Sequence, residues 1–151
     1  IERFDLRIAY KYYDVQTDFA SGTLDGPLIP KNRFFSNFSY QTELVRDQRF
    51  WKFDLTYNWV GRQRLPSTAT NPVNFQLSDY SPSFTTLNFQ ITKVFSKKFE
   101  LYTGGENVTN FRQKNPILAA DDPFGSNFDS TFVYGPIFGS MYYAGLRLKL
   151  Y

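Results

Sequence analysis

Between Trp51 and Trp59 the chain alternates without a break. Trp51, Phe53, Leu55, Tyr57 and Trp59 are apolar or aromatic, while Lys52, Asp54, Thr56 and Asn58 between them are polar or charged. A period of two is that of a β-strand, whose successive side chains point to opposite faces. The strand has one greasy face and one charged face, and the greasy face requires a protein core or lipid. The tryptophans lie about 26 Å apart along an extended strand. With a tilt of about 40° this spans about 20 Å, near the apolar band of roughly 25 Å between the aromatic girdles of an outer-membrane barrel. A strand of a soluble β-sandwich carries the same alternation, and that reading stays open.

Composition narrows the field. The chain has 151 residues, enough for one domain. Aromatics make up 20% of it, yet its mean hydropathy is only -0.42. No run approaches the roughly 18 apolar residues of a membrane-spanning helix. A barrel would be polar on average in this way, because half of each strand faces away from lipid. The chain opens on Ile1, which predicts a processed chain or a fragment. Cysteine and histidine are both absent. That excludes disulfides, thiolate nucleophiles, Ser-His-Asp triads and His/Cys zinc sites. The net charge is +3, with basic residues spread among acids, as in Arg3, Asp5 and Arg7. Nucleic-acid binding, which wants a basic patch, is not expected.

Six strands can be drawn, over about residues 2–18, 33–45, 49–60, 84–95, 99–108 and 141–151. Each alternates, and none fits a helical period better. The connections differ sharply in length. Arg46-Asp47-Gln48 and Ser96-Lys97-Lys98 are short, whereas 19–32, 61–83 and 109–140 are long. Long links are uncommon in compact domains, but a transmembrane barrel has short turns on one side and long loops on the other. Six strands cannot close such a barrel alone, so this reading requires further strands from another segment.

The last third is more specific. It contains Gly104-Gly105-Glu106-Asn107-Val108-Thr109-Asn110-Phe111, then Asn115-Pro116-Ile117, Asp121-Asp122-Pro123-Phe124-Gly125 and Val133-Tyr134-Gly135-Pro136, and it closes with Gly145-Leu146-Arg147-Leu148-Lys149-Leu150. This resembles the C-terminal barrel segment of a TonB-dependent outer-membrane receptor of the Bacteroidetes type. The family's penultimate strand carries a Gly-x-Glu-Asn-Leu-x-Asn-like phrase, and its last strand a Gly-Leu-Arg followed by alternating apolar residues. Pro27 to Arg33 and Arg62 to Pro66 are also familiar there. One departure is the terminal aromatic, Tyr151, which falls on the opposite face from Leu150. The resemblance implies an all-β fold: residues 1–151 as the last six strands of a 22-stranded transmembrane barrel, without its plug domain. It implies a wall of an active transporter taking up a scarce ligand such as a siderophore, cobalamin or glycan. The implied partners are the rest of the barrel and its plug, TonB, the barrel-assembly machinery, the lipid bilayer and a surface-exposed lipoprotein. The implied location is the bacterial outer membrane. The alternative is a soluble β-sandwich or barrel module that binds a hydrophobic ligand.

Site expectations follow. Arg3, Asp5, Arg7, Lys11, Glu43, Lys52, Asp54, Arg147 and Lys149 would line the lumen. Trp51, Phe53, Leu55, Tyr57, Trp59, Leu146, Leu148 and Leu150 would face lipid. Gly145, Leu146, Leu148, Leu150 and Tyr151 would form the assembly-signal strand. Tyr80, Phe124, Phe128, Phe132 and Tyr134 are aromatic loop residues suited to an apolar or planar ligand, or to a partner protein. Gly104 and Gly105 would admit a close neighbour or mark a bulge. Asp121 and Asp122 before Pro123 read as turn formers rather than an acid pair. No enzyme, cofactor or metal site is expected.

Overall fold

The computed structural model describes residues 2–20, 22–45 and 49–150. Its strands are β1 (Phe4–Tyr12), β2 (Gln16–Phe19), β3 (Gly22–Asp25), β4 (Asn32–Gln41), β5 (Phe50–Val60), β6 (Phe84–Val94), β7 (Phe99–Glu106) and β8 (Met141–Leu148). Six form one antiparallel sheet in the order β1-β4-β5-β6-β7-β8, and β2 pairs with β3 in a separate hairpin. That hairpin falls where the sequence suggests the tail of a first strand and a long loop. Residues 46–48, in the short link between β4 and β5, and Tyr151 lie outside the described residues.

Register sorts side chains cleanly between the two faces. Tyr40 pairs with Phe53, Phe53 with Ile91, Leu55 with Phe38 and Phe89, and Leu101 with Lys93 and Leu146. These belong to one apolar face. The other face is polar and cross-linked: Asn37 donates to Thr56 Oγ1 at 2.9 Å, Ser39 to Asp54, and Gln90 to Thr92 Oγ1 at 3.1 Å. Two reciprocal pairs join β7 to β8. Tyr143 opposes Gly104 and Tyr102 opposes Gly145. Each tyrosine ring lies across the glycine, where a Cβ would collide with it. Tyr143 crosses Gly104 to donate to Gln90 Oε1 at 3.1 Å.

The best-covered apolar side chains lie mostly away from the middle of the sheet. Leu65, Leu118, Ala119 and Phe132 are buried in the long connections, and Val60 and Val94 at strand ends. Buried polar groups hold those connections in place. Gln113 donates to the Phe132 carbonyl at 2.7 Å and accepts from the amides of Tyr134 and Gly135 at 2.8 and 3.2 Å. Gln63 donates to the Tyr134 carbonyl at 2.9 Å. Asn107, Asn110 and Asn115 take left-handed φ values of 49°, 54° and 48°, a conformation that asparagine tolerates better than most residues.

The expected barrel wall is not what this sheet forms. Neither sheet is closed or curled, and edge strands β1 and β8 do not pair with each other. A wall in hydrocarbon needs its edges satisfied, at several kcal/mol for each group left open. Alternation and loop asymmetry report faces and connectivity, but not curvature, so they carried the barrel expectation further than the fold does. The placement in a bilayer and in the outer membrane, which rested on that barrel, is corrected with it. Among the described residues no helix is long and apolar enough to cross a membrane.

Candidate functional site

The sheet inverts the usual exposure of its two faces. Along β5 the apolar Trp51, Phe53, Leu55 and Tyr57 are exposed, whereas Lys52, Asp54, Thr56 and Asn58 are half-buried. On β6 the polar Thr92 is only 4% exposed. The apolar face is continuous from Leu6, Ile8 and Tyr10 on β1 to Leu146 and Leu148 on β8, all exposed. Total accessible surface is 10758 Å². A folded monomer of 17.7 kDa is expected to expose about 7,900 Å², so about 2,800 Å² is in excess. That excess is total surface, and the exposed apolar face of the sheet contributes to it.

A shallow, open groove of about 720 Å³ lies on this face, lined mainly by Trp51, Ile91, Phe95, Leu101, Ala144 and Leu146. Alternation places these side chains: Trp51 pairs with Lys93, Lys93 with Leu101, and Leu101 with Leu146, so one row crosses four strands. Leu101 is 41% exposed and Leu146 59%. Trp51 stacks on Phe53 with centroids 6.3 Å apart and an interplanar angle of 21°. Lys93 is the only charged residue of the strands on this face, and its Nζ sits 4.6 Å from the Trp51 ring centroid. It escaped notice in the sequence, although its odd position in a strand with apolar odd positions was the available signal.

The charged residues anticipated along the opposite face are arranged in pairs and singles. Arg3 bonds Glu43 at 2.7 Å, and Arg147 bonds Glu100. Asp54 accepts from Ser39, and Lys52 lies 5.4 Å from the Phe50 ring centroid. Asp5, Arg7 and Lys11 are exposed on β1, and the Lys149 amide donates to the Lys98 carbonyl at 2.9 Å. Of the residues anticipated on the apolar side, Trp51, Phe53, Leu55, Tyr57, Trp59, Leu146 and Leu148 share its face, and Leu150 is exposed just past β8. Gly145 belongs to the polar face beneath Tyr102, and Tyr151 is outside the described residues.

The aromatic loop residues are not gathered into one site. Phe132 is 4% exposed and packs within the connection, whereas Phe124 is fully exposed and Phe128 partly so. Burial pushes the Tyr134 phenol above its ordinary range. Tyr80 lines a separate cavity of about 410 Å³ with Trp59, Arg62, Arg64, Lys31 and Asp25. There Arg62 covers the Tyr80 ring at 5.1 Å, and Asp25 pairs with Lys31 at 2.8 Å. The hydrogen bond from Lys31 holds the Asp25 carboxyl below the usual carboxylate range, and the same bond raises Lys31. Among the described residues no cluster of acids is placed to hold a metal ion.

No family model, curated protein or solved structure matches the chain. The resemblance to TonB-dependent receptors is therefore corrected: neither a family match nor a curved sheet supports it. The transport role falls with it, because an open sheet encloses no lumen. The plug domain, TonB, the barrel-assembly machinery, the lipoprotein and the bilayer were partners by that resemblance alone, and are withdrawn with it.

Proposed function

We propose that the chain is a non-catalytic binding module that seats a hydrophobic ligand on the open apolar face of its sheet. The observation that carries this reading is the groove from Trp51 to Leu146, whose walls are apolar and whose only charge is Lys93. Apolar surface held in water gains about 25 cal/mol for each Å² that a ligand removes from solvent. An elongated chain lying in the groove can cover Trp51, Ile91, Leu101 and Leu146, and Lys93 at the groove favours an acidic end group. The chain has no histidine or cysteine to supply nucleophilic chemistry, and the polar face binds its own carboxylates and hydroxyls.

Dodecanoic acid is a suitable probe, because both tryptophans lie on the face in question. In a Trp59→Phe background, Trp51 alone reports on the groove. Saturable change in its emission is expected, with affinity at least about tenfold weaker in Leu101→Asp, since burying a leucine-sized group contributes about 1.5–3 kcal/mol. Absence of saturation up to the solubility limit, or equal affinity in the Asp variant, rejects the reading.

A further inference from the structure

The other face of the sheet holds a second feature, at the end where the connections are short. A concavity of about 380 Å³ there is lined by Lys52, Lys97, Lys98, Arg147 and Lys149, with Glu100 as its one acid among the described residues. Spread along the sequence, these residues look like ordinary interleaved charges. The fold gathers them: Lys52 lies near the start of β5, Lys97 and Lys98 form the turn between β6 and β7, Arg147 lies near the end of β8, and Lys149 follows it. The turn is built to hold its shape. Ser96 Oγ accepts from the amides of Lys98 and Phe99, each at 3.2 Å, and the Lys149 amide is fastened to the Lys98 carbonyl at 2.9 Å.

The local charge is unusual for this molecule. Five of the 17 cations and one of the 14 anions meet here, a balance of +4 against +3 for the whole chain. Among the described residues, then, positive charge is concentrated in this one hollow. Glu100 is committed to Arg147, and none of the four lysines has an ion pair among the described residues. Like charges crowded into one concave region repel each other, and a bound anion relieves that repulsion.

We propose that this hollow binds a small, multiply charged anion of the polyphosphate class. Several cations lining one hollow favour a ligand with several linked phosphate groups over a single one, because more than one group can then meet an ammonium. The volume suits a small molecule, and Phe50 and Phe99 contribute apolar wall. Orthophosphate carries the same chemistry but spans fewer of the lysines.

The test is calorimetric titration of the whole chain with inorganic tripolyphosphate and, separately, orthophosphate. Binding of one tripolyphosphate per chain is expected, at least about tenfold tighter than orthophosphate and about tenfold weaker when salt shortens the screening length from about 30 to about 8 Å. Lys97→Ser with Lys98→Ser is expected to lose most of the affinity. Arg7→Ser with Lys11→Ser, which lowers net charge equally on β1, is expected to keep it. Equal losses in both double variants mean a general charge effect and overturn the site, as does absence of saturation. Amide shifts on titrating the unaltered chain give the same answer without substitution: they should centre on Lys98, Phe99 and Lys149, and shifts centred elsewhere reject it. Dodecanoic acid binding is read on the opposite face, so the two readings fail separately.

Discussion

Replacing Gln113 with alanine removes the support of an entire connection. The side chain is buried and serves three main-chain groups at once: the Phe132 carbonyl at 2.7 Å and the amides of Tyr134 and Gly135 at 2.8 and 3.2 Å. Its own amide, bonded to the Pro136 carbonyl at 2.8 Å, is unaffected. A buried polar group left without a partner costs about 1–3 kcal/mol. Phe132 is buried, so its carbonyl carries the larger share; Tyr134 and Gly135 are half-buried and reach water more readily. The expected loss is about 3–4 kcal/mol, which lowers the urea midpoint by about 1–4 M at an m-value of 1–3 kcal/mol/M. Hydrogen exchange at the Tyr134 and Gly135 amides should accelerate with it. Gln113→Glu keeps the acceptor but loses the donor at neutral pH, and recovers part of its stability in acid, where the protonated carboxyl donates to Phe132 again. A loss below about 1 kcal/mol in Gln113→Ala, with unchanged exchange at both amides, would falsify the claim that this side chain organises the connection.

Two further outcomes follow. A Cβ at Gly104 would lie 2.6 Å from the Phe89 carbonyl oxygen and 2.6 Å from the ring carbon that bears the Tyr143 hydroxyl, so Gly104→Val should cost about 1–3 kcal/mol or more in thermal or urea unfolding, whereas Tyr143→Phe, losing only the bond to Gln90, should cost about 1 kcal/mol; equal effects would mean that the ring does not need the bare glycine. The Asp25–Lys31 pair has a lowered carboxyl and a raised ammonium. Its contribution is therefore fully present between the ordinary carboxylate and ordinary lysine ranges, and fades as pH falls through the lowered value or rises through the raised one. Asp25→Asn should flatten the acid side of the stability profile, and an unchanged profile would show that the pair does not couple to folding.

Strand positions were legible because alternation is a local property of the chain. The row Trp51, Phe53, Leu55, Tyr57 predicted both β5 and its two faces, and β5 occupies Phe50–Val60. Curvature was not legible, since the same alternation serves a flat sheet and a rolled one. The hairpin of β2 and β3 was missed because Gln16-Thr17-Asp18-Phe19 carries no apolar stripe, and all four residues are exposed. Loop aromatics were legible as a class but not as a site: Phe132 and Tyr80 look equivalent in sequence, yet one is packed inside the connection and the other lines a cavity. Gln63 and Gln113 gave no sign of burial, because a glutamine's role as a main-chain partner depends on a fold that brings distant loops together. The lysine hollow was invisible for the same reason: its members come from three strands and a turn.

The exchange of tyrosine and glycine between β7 and β8 acts as a notch for strand alignment. Apolar alternation alone cannot distinguish the observed pairing from one shifted by two residues, because both keep every side chain on its own face. The notch distinguishes them. One such shift brings Tyr102 opposite Tyr143 and sets Gly104 against Met141; the other puts Gly104 opposite Gly145 and Tyr102 against Arg147. In neither does a ring find a bare backbone to lie on. Tyr143 also reaches Gln90 only through the gap above Gly104, so the alignment of β8 is checked against β6 as well as β7. A misaligned hairpin would thus lose two ring contacts and a hydrogen bond together, which gives the folding chain a way to discard it.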